Sequence, residues 1–292
     1  MAMAVGLTLT ACEKEIMSEK PDGESSGVVA ADAVKTKKFT FTLKGDFSDE
    51  WKHVTRGYLA ADGKDLTDVW VLDYMDGQLV QQVHQSDHTA DDFGKPVVQL
   101  AYGEHHVYFV ASRGAEPVLN TTDGTIIWSS VRDTFWKDYE VSVVSTSNGN
   151  RAVTLDRIVT KLALAFTDAI SDDAATINFT PAKWYYGLNY KTGEPTTATN
   201  NQTNTMQVPA NYAGRTDVSV SYFSISPSEE WKTDVVVNSK DADGNIIGQG
   251  IMTDVPLKRN RMTEYSGPLF TAGGETSLTL NSVWDDPEIG SW

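Results

Sequence analysis

The sequence predicts an all-β chain built from two tandem β-sandwich domains, on three observations. Short runs alternate apolar with polar residues, which is the period of a strand with one buried face. Turn-forming residues separate these runs at regular spacing, and no long amphipathic helical pattern interrupts them. The first run is FTFTLKGDF, where Phe39, Phe41 and Leu43 alternate with Thr40, Thr42 and Lys44. TDVWVLDYM and QLVQQVH follow, joined by Asp76-Gly77, a hairpin signal. PVVQLAYG, HHVYFVAS, GTIIWSS and YEVSVVS complete the first half. STSNGN, residues 145–150, is polar and turn-forming, so the domain boundary is placed near residue 153, dividing 38–153 from 154–292. LDRIVTKLALAF opens the second half; its Val, Ile, Thr and Phe content favours a strand over a helix. TINFT, DVSVSYFSI, DVVVNS, NIIGQGIM, a run around MTEYSG, and TSLTLNSVW continue the pattern.

Composition bounds the function. The 292 residues exceed the usual length of one domain. With 24 Lys and Arg against 40 Asp and Glu, the formal charge of -16 argues against binding nucleic acid or anionic membrane through bulk charge. A single cysteine excludes an internal disulfide framework and any cysteine-cluster metal site.

That cysteine ends MAMAVGLTLTAC, an apolar and small-residue stretch too short to span a bilayer. Leu9-Thr10-Ala11-Cys12 has the form of a lipobox, in which a signal peptidase cuts before Cys12 and the thiol carries lipid. No Lys or Arg precedes the apolar run. That leaves two readings beside each other: a lipoprotein signal over residues 1–12 whose start lies further upstream, or an ordinary cysteine. Residues 13–37, rich in charge, Ser and Gly, read as a flexible tether.

The sequence offers no catalytic, cofactor or metal motif: it contains no G-x-S-x-G, Walker loop, G-x-G-x-x-G or H-E-x-x-H, and an enzyme is not expected. His84 and His88, with Asp87, Asp91 and Asp92 nearby, read as a solvated loop rather than a metal site. His105 and His106 are adjacent in a strand and point to opposite faces. Asp241-Ala242-Asp243-Gly244-Asn245 lacks the closing Glu of a calcium loop and reads as a hairpin turn. The pair Asp285-Asp286 could serve a glycosidase only within a cleft. Trp184, Tyr185, Tyr186 and Tyr190 form the densest aromatic group; core packing is favoured over a glycan or partner contact.

Taken in order, the lipobox, the polar tether, the isolated first strand, Thr55-Arg56-Gly57, DGKDLTDVWVLDYMDGQLV and HHVYFVASRG resemble a fimbrillin of the Bacteroidales type V pili. DRIVTKLALAF and DVPLKRNRMTEYSGPLF are similar to that family's carboxy-terminal domain. The resemblance implies two transthyretin-like sandwiches, export to the outer membrane as a lipoprotein, and trimming by an arginine-specific protease. Trimming would remove the first strand and open a groove for a neighbouring subunit's strand. On this mapping Cys12 is the lipid site, Arg56 precedes the cut and Gly57 becomes the new amino terminus.

The physical expectation runs alongside. Losing Phe39, Phe41 and Leu43 would strip roughly 2 kcal/mol of burial per side chain and expose a sheet edge, which a foreign strand could fill. The donor candidate is the tail, where Leu278, Leu280 and Trp284 share one face. The expected partners are other fimbrial subunits, the protease, outer-membrane lipid through Cys12, and a host or bacterial surface glycan or protein. A stalk subunit, needing both a removable strand and a donating tail, is favoured over a tip subunit. The alternative is a surface glycan-binding lipoprotein.

Overall fold

A computed structural model describes residues 34–45, 57–58, 66–216, 218–270 and 275–283. The first half forms β1 (Thr36–Lys44), β2 (Gly57–Tyr58), β3 (Asp68–Met75), β4 (Gln78–Gln85), β5 (Val97–Ala101), β6 (Gly103–Ser112), β7 (Val118–Asn120), β8 (Thr125–Ile127), β9 (Thr134–Val143) and β10 (Asn150–Thr154). The second half forms β11 (Asp156–Arg157), β12 (Val159–Phe166), β13 (Thr176–Pro181), β14 (Gly187–Asn189), β15 (Glu194–Pro195) and β16 (Asn204–Gln207). It continues with β17 (Val218–Ile225), β18 (Trp231–Lys240), β19 (Ile246–Leu257), β20 (Met262–Gly267), β21 (Glu275–Ser277) and β22 (Thr279–Val283). The chain is all-β; among the described residues the one helical element is a three-residue 3-10 turn, Ala210–Tyr212.

The first strand spans Thr36–Lys44, so it starts before and ends before the FTFTLKGDF run, and Thr36 and Lys37 pair with Ala101 and Leu100. It lies in the middle of a three-stranded sheet of order β10-β1-β5, antiparallel to β5 and parallel to β10. Facing it is a five-stranded sheet, β11-β9-β6-β3-β4. Val69 and Val71 of β3, Val107 and Phe109 of β6, and Phe135 and Val143 of β9 meet Phe39, Phe41, Val98, Leu100 and Val153 in one core.

β3 is buried on both faces. Trp70, Leu72 and Tyr74, which alternate with the valines, join Tyr108 and Val110 in a second core shared with the second half of the chain. This explains why DVWVLDYM reads as a nearly continuous apolar run. The turn at Asp76-Gly77 has φ of 50° and 75°, the left-handed pair that matches strand twist in a two-residue hairpin.

Two further five-stranded sheets, β2-β17-β12-β20-β22 and β16-β13-β18-β19-β21, hold most strands of the second half, with β2 of the first half at the edge of one of them. Leu162, Leu164 and Phe166 of β12 and Val218 and Val220 of β17 share a core with Ile177, Phe179, Val235 and Val237. The LDRIVTKLALAF segment is extended, as its composition predicts, with a break at Ile158 between β11 and β12. A small sheet of order β15-β14-β8-β7 takes two strands from before residue 153 and two from after it. The turn at 241–245 joins β18 to β19, with Asp241 accepting from the Asn245 N–H at 2.8 Å, so it is a hairpin turn as its sequence predicts.

Candidate functional site

β1 sits as a plug in the first sandwich. Its rings are held from three sides: Phe41 stands edge-on to Phe109 at 4.9 Å and to Tyr139 at 5.8 Å, and Phe39 stacks on Phe41 at 5.9 Å. The Arg151 guanidinium lies 5.7 Å from the Phe39 ring centroid, within cation–π range. Both phenylalanines are fully buried, and Leu43 is half-buried at the end of the row. The backbone is tied on both edges. Thr40 N–H donates to Gly149 O at 2.7 Å, Phe41 N–H to Pro96 O at 3.0 Å, and Leu155 N–H to Lys44 O at 2.8 Å. The Lys37 ammonium donates to Ser145 O at 2.7 Å. Burying the two phenylalanines stabilises this sandwich by roughly 2–3 kcal/mol each.

Gly149 is part of this arrangement. A side chain there would overlap the carbonyl oxygen of Lys38, so only glycine lets β1 approach β10. The sequence marks Gly149 as a turn residue and gives no sign of its contact with Lys38, which is over a hundred residues away in the chain.

The other sequence-predicted residues are distributed differently. Cys12, Arg56 and Trp284 lie outside the described residues, as does the Asp285-Asp286 pair. Gly57 opens β2, whose backbone pairs with β17 in parallel through Gly57↔Val218 and Tyr58↔Ser219. In the tail, Leu278 is buried, and Leu280 pairs with Tyr265 across the antiparallel β20–β22 ladder. Leu278 lies against Gly250, 3.2 Å from where a Cβ would stand. The tail strands are thus at the edges of the second half's sheets, and β1 is in the first half's three-stranded sheet.

The histidines separate as the strand period requires. His105 is buried: its Nδ1 is 2.7 Å from Asp73 Oδ1 and its Nε2 is 2.9 Å from Ala101 O. A carbonyl can only accept, so Nε2 carries a proton and donates to it. Burial raises the Asp73 carboxyl above its ordinary value, against the pull of His105. His106 lies on the opposite face, exposed, beside Asp138 and Glu140. His84 stacks on Trp70 at 4.6 Å and bonds Asp68 at 2.8 Å. Asp87 caps Thr89, which holds its carboxylate below the ordinary value. Among the described residues no metal-ligating group forms around His84 and His88.

Trp184, Tyr185, Tyr186 and Tyr190 are buried. Trp184 Nε1–H donates to Phe223 O at 2.8 Å, and the Tyr190 and Tyr74 hydroxyls are 2.7 Å apart. These rings pack the core and present no open stacking face. Deep under the junction of the two halves, Asp133 accepts from Arg157 Nε–H at 2.7 Å and Nη2–H at 3.1 Å, and from Arg113 Nη1–H at 3.2 Å.

Comparison with solved structures returns proteins of similar trace and low identity. A candidate adhesin from Bacteroides ovatus ATCC 8483 is 10% identical, with 79% of this chain and 88% of that chain covered and a TM-score of 0.49. A candidate polysaccharide-binding protein from Bacteroides thetaiotaomicron VPI-5482 is 12% identical, with 78% and 89% covered and a TM-score of 0.48. A candidate cell adhesion protein from Parabacteroides distasonis ATCC 8503 is 12% identical, with 86% and 100% covered and a TM-score of 0.45. No curated protein matches the chain. One family model matches residues 116–291, more than half of the sequence, and the chain therefore belongs to the family of unknown function DUF6562.

Proposed function

We propose that this chain is a structural subunit of a surface fimbria, polymerised by donor-strand exchange after proteolytic removal of β1 behind Arg56. The observation that carries this reading is the place of β1. It is the middle strand of its sheet, with a separately held strand on each side, and it supplies Phe39 and Phe41 to a core that the other strands build. Removing it would leave two unpaired edges about 10 Å apart and a row of empty apolar pockets. A strand from a neighbouring subunit would satisfy both ladders and the pockets at once. The carboxy-terminal segment is the proposed donor, through Leu278, Leu280 and Trp284. Donation would require β21 and β22 to leave their own edges. A chain with both a removable strand and a donating tail serves in the stalk rather than at the tip. Cys12 would carry the lipid that holds the precursor at the outer membrane, with the residues from 13 up to β1 as its tether; Thr36 and Lys37, expected in the tether, belong to β1, so the first domain would start at Thr36 and meet the second near residue 153.

Limited digestion of the full chain with an arginine-specific protease tests this. A new amino terminus at Gly57 and a ladder of high-mass oligomers are expected, with Arg56→Ala remaining monomeric. Normal ladders from Arg56→Ala would overturn the reading. Lipidation is tested separately: Cys12→Ala, expressed with an intact export signal, should lose labelling by a palmitate analogue, and retained labelling would remove Cys12 from the scheme.

A further inference from the structure

His106 of β6 stands directly opposite Glu140 of β9, and Asp138, two residues before it on β9, stands opposite Tyr108. Residues two apart on a strand share a face, and a cross-strand neighbour lies within side-chain reach of both. His106 Nδ1 is 3.4 Å from Asp138 Oδ1 and 3.9 Å from Glu140 Oε1, and one donor atom from each residue lies within 4.8 Å of the others. Metal bonds of about 2.0–2.1 Å in a tetrahedral zinc site place neighbouring donor atoms about 3.3 Å apart, close to the first of these spacings. Small rotamer changes on an open surface bring the second into range.

Among the described residues, neither carboxylate has a lysine or arginine within ion-pair distance; His106 is the partner of both. Tyr108 stacks beside His106 at 6.3 Å and limits the ring's orientation. All three candidate ligands are partly open to solvent, with side-chain exposures of 52%, 31% and 76%, so a hydrated ion can reach them.

We propose that His106, Asp138 and Glu140 form a binding site for a divalent transition-metal ion, through one imidazole nitrogen and two carboxylate oxygens. The donor set suits zinc and its neighbours. It offers no thiolate for softer ions and too few oxygens for calcium, which takes six to eight. Three protein ligands leave a coordination position for water or for a donor from another molecule. The site rests on β6 and β9 alone and stands apart from the assembly reading.

Zinc chloride titrated into the full chain, followed by calorimetry and by the imidazole signals in two-dimensional NMR, tests it. One ion per chain is expected, with the His106 signals moving first. His106→Ala, or Asp138→Asn with Glu140→Gln, should weaken binding by at least about tenfold, and His84→Ala should leave it unchanged. His106 signals that stay fixed up to about 1 mM zinc, or full affinity in His106→Ala, would overturn the site. If His106→Ala fails to fold, Glu140→Gln alone, read through the same signals, decides: unchanged affinity rejects the site.

Discussion

Phe41, from the first strand, stands edge-on to Phe109, from the centre of the opposing sheet, with ring centroids 4.9 Å apart and planes at 68°. An aromatic pair of this geometry adds to the stability that burial alone gives, by about 0.5–1.5 kcal/mol. The strand that the assembly scheme removes is therefore also one that closes the first sandwich.

Phe41→Ala should destabilise the protein by about 3–5 kcal/mol, because the fully buried ring leaves a cavity between Phe109 and Tyr139. Urea unfolding measures the loss. Hydrogen exchange should show the largest increase at Thr40 and Leu155, whose amides bond across the β1–β10 ladder. A uniform increase over both halves of the chain would show that β1 does not open by itself.

Much of this was legible in the sequence, and the limit was sequence separation. The alternation of Phe39 and Phe41 marks β1 as a strand with one buried face, and Asp76-Gly77 marks the hairpin of β3 and β4. Both signals are local. Nothing local says that β1 lies between β5 and β10, because that placement depends on residues 97–101 and 150–154. For the same reason the sequence separates His105 from His106 by strand period but cannot supply Asp73, Asp138 or Glu140 as their partners. Each lies 32 or more residues away and comes alongside only through strand pairing. The aromatic group at 184–190 is placed in the core, as its packing reading predicts, since Phe223 O and the Tyr74 hydroxyl satisfy its polar atoms there.

The His105–Asp73 pair gives a test with a sign. In Asp73→Asn the new amide can donate to Nδ1 while Nε2–H still donates to Ala101 O, so the variant should lose no more than about 1 kcal/mol near neutral pH. His105→Ala leaves a buried carboxylate without its partner and the Ala101 carbonyl without its donor, and should cost about 3 kcal/mol or more. The native Asp73 carboxyl is raised above 3.8, so it favours the folded state fully below that value, and this contribution is lost as pH rises through the folded value. Relative to wild type, Asp73→Asn should therefore gain stability as pH climbs from about 4 towards neutrality. Urea midpoints across that range check it; an opposite trend would mean that His105, rather than burial, governs the carboxyl.

Asp133 binds Arg157 of β11 through two nitrogens and Arg113, after β6, through one, so a single carboxylate joins segments on either side of residue 153. Asp133→Asn removes the shared charge from two guanidinium groups in a buried setting and should cost about 3–5 kcal/mol in thermal or urea unfolding. Asp133→Glu, which keeps the charge but misplaces the fork, should recover only part of this loss. Equal stability of wild type and Asp133→Asn would mean that the two arginines find sufficient partners elsewhere.

The last prediction separates accepting a strand from donating one. Gly149 leaves no room for a side chain beside the Lys38 carbonyl, and its own carbonyl accepts the Thr40 amide. Any strand that replaces β1 along the same edge must pass the same point. Gly149→Val should therefore weaken the seat of β1 in the precursor and, after cleavage at Arg56, exclude an incoming donor. Its tail, far from Gly149 in the sheets of the second half, remains able to donate. A chain lacking residues 276–292 should behave in the reverse way, accepting without donating. Each variant alone should yield no polymer, each mixed with wild type should shorten polymers, and the two mixed together should form dimers, with the tail of Gly149→Val filling the groove of the truncated chain. Native gels of the cleaved mixtures read the outcome. Dimers absent from the mixture of two folded variants would mean that the tail is only an edge strand of its own sheets. Where Gly149→Val lowers the yield of folded protein, Gly149→Ala introduces the same overlap with a smaller side chain and should shift the polymer length in the same direction.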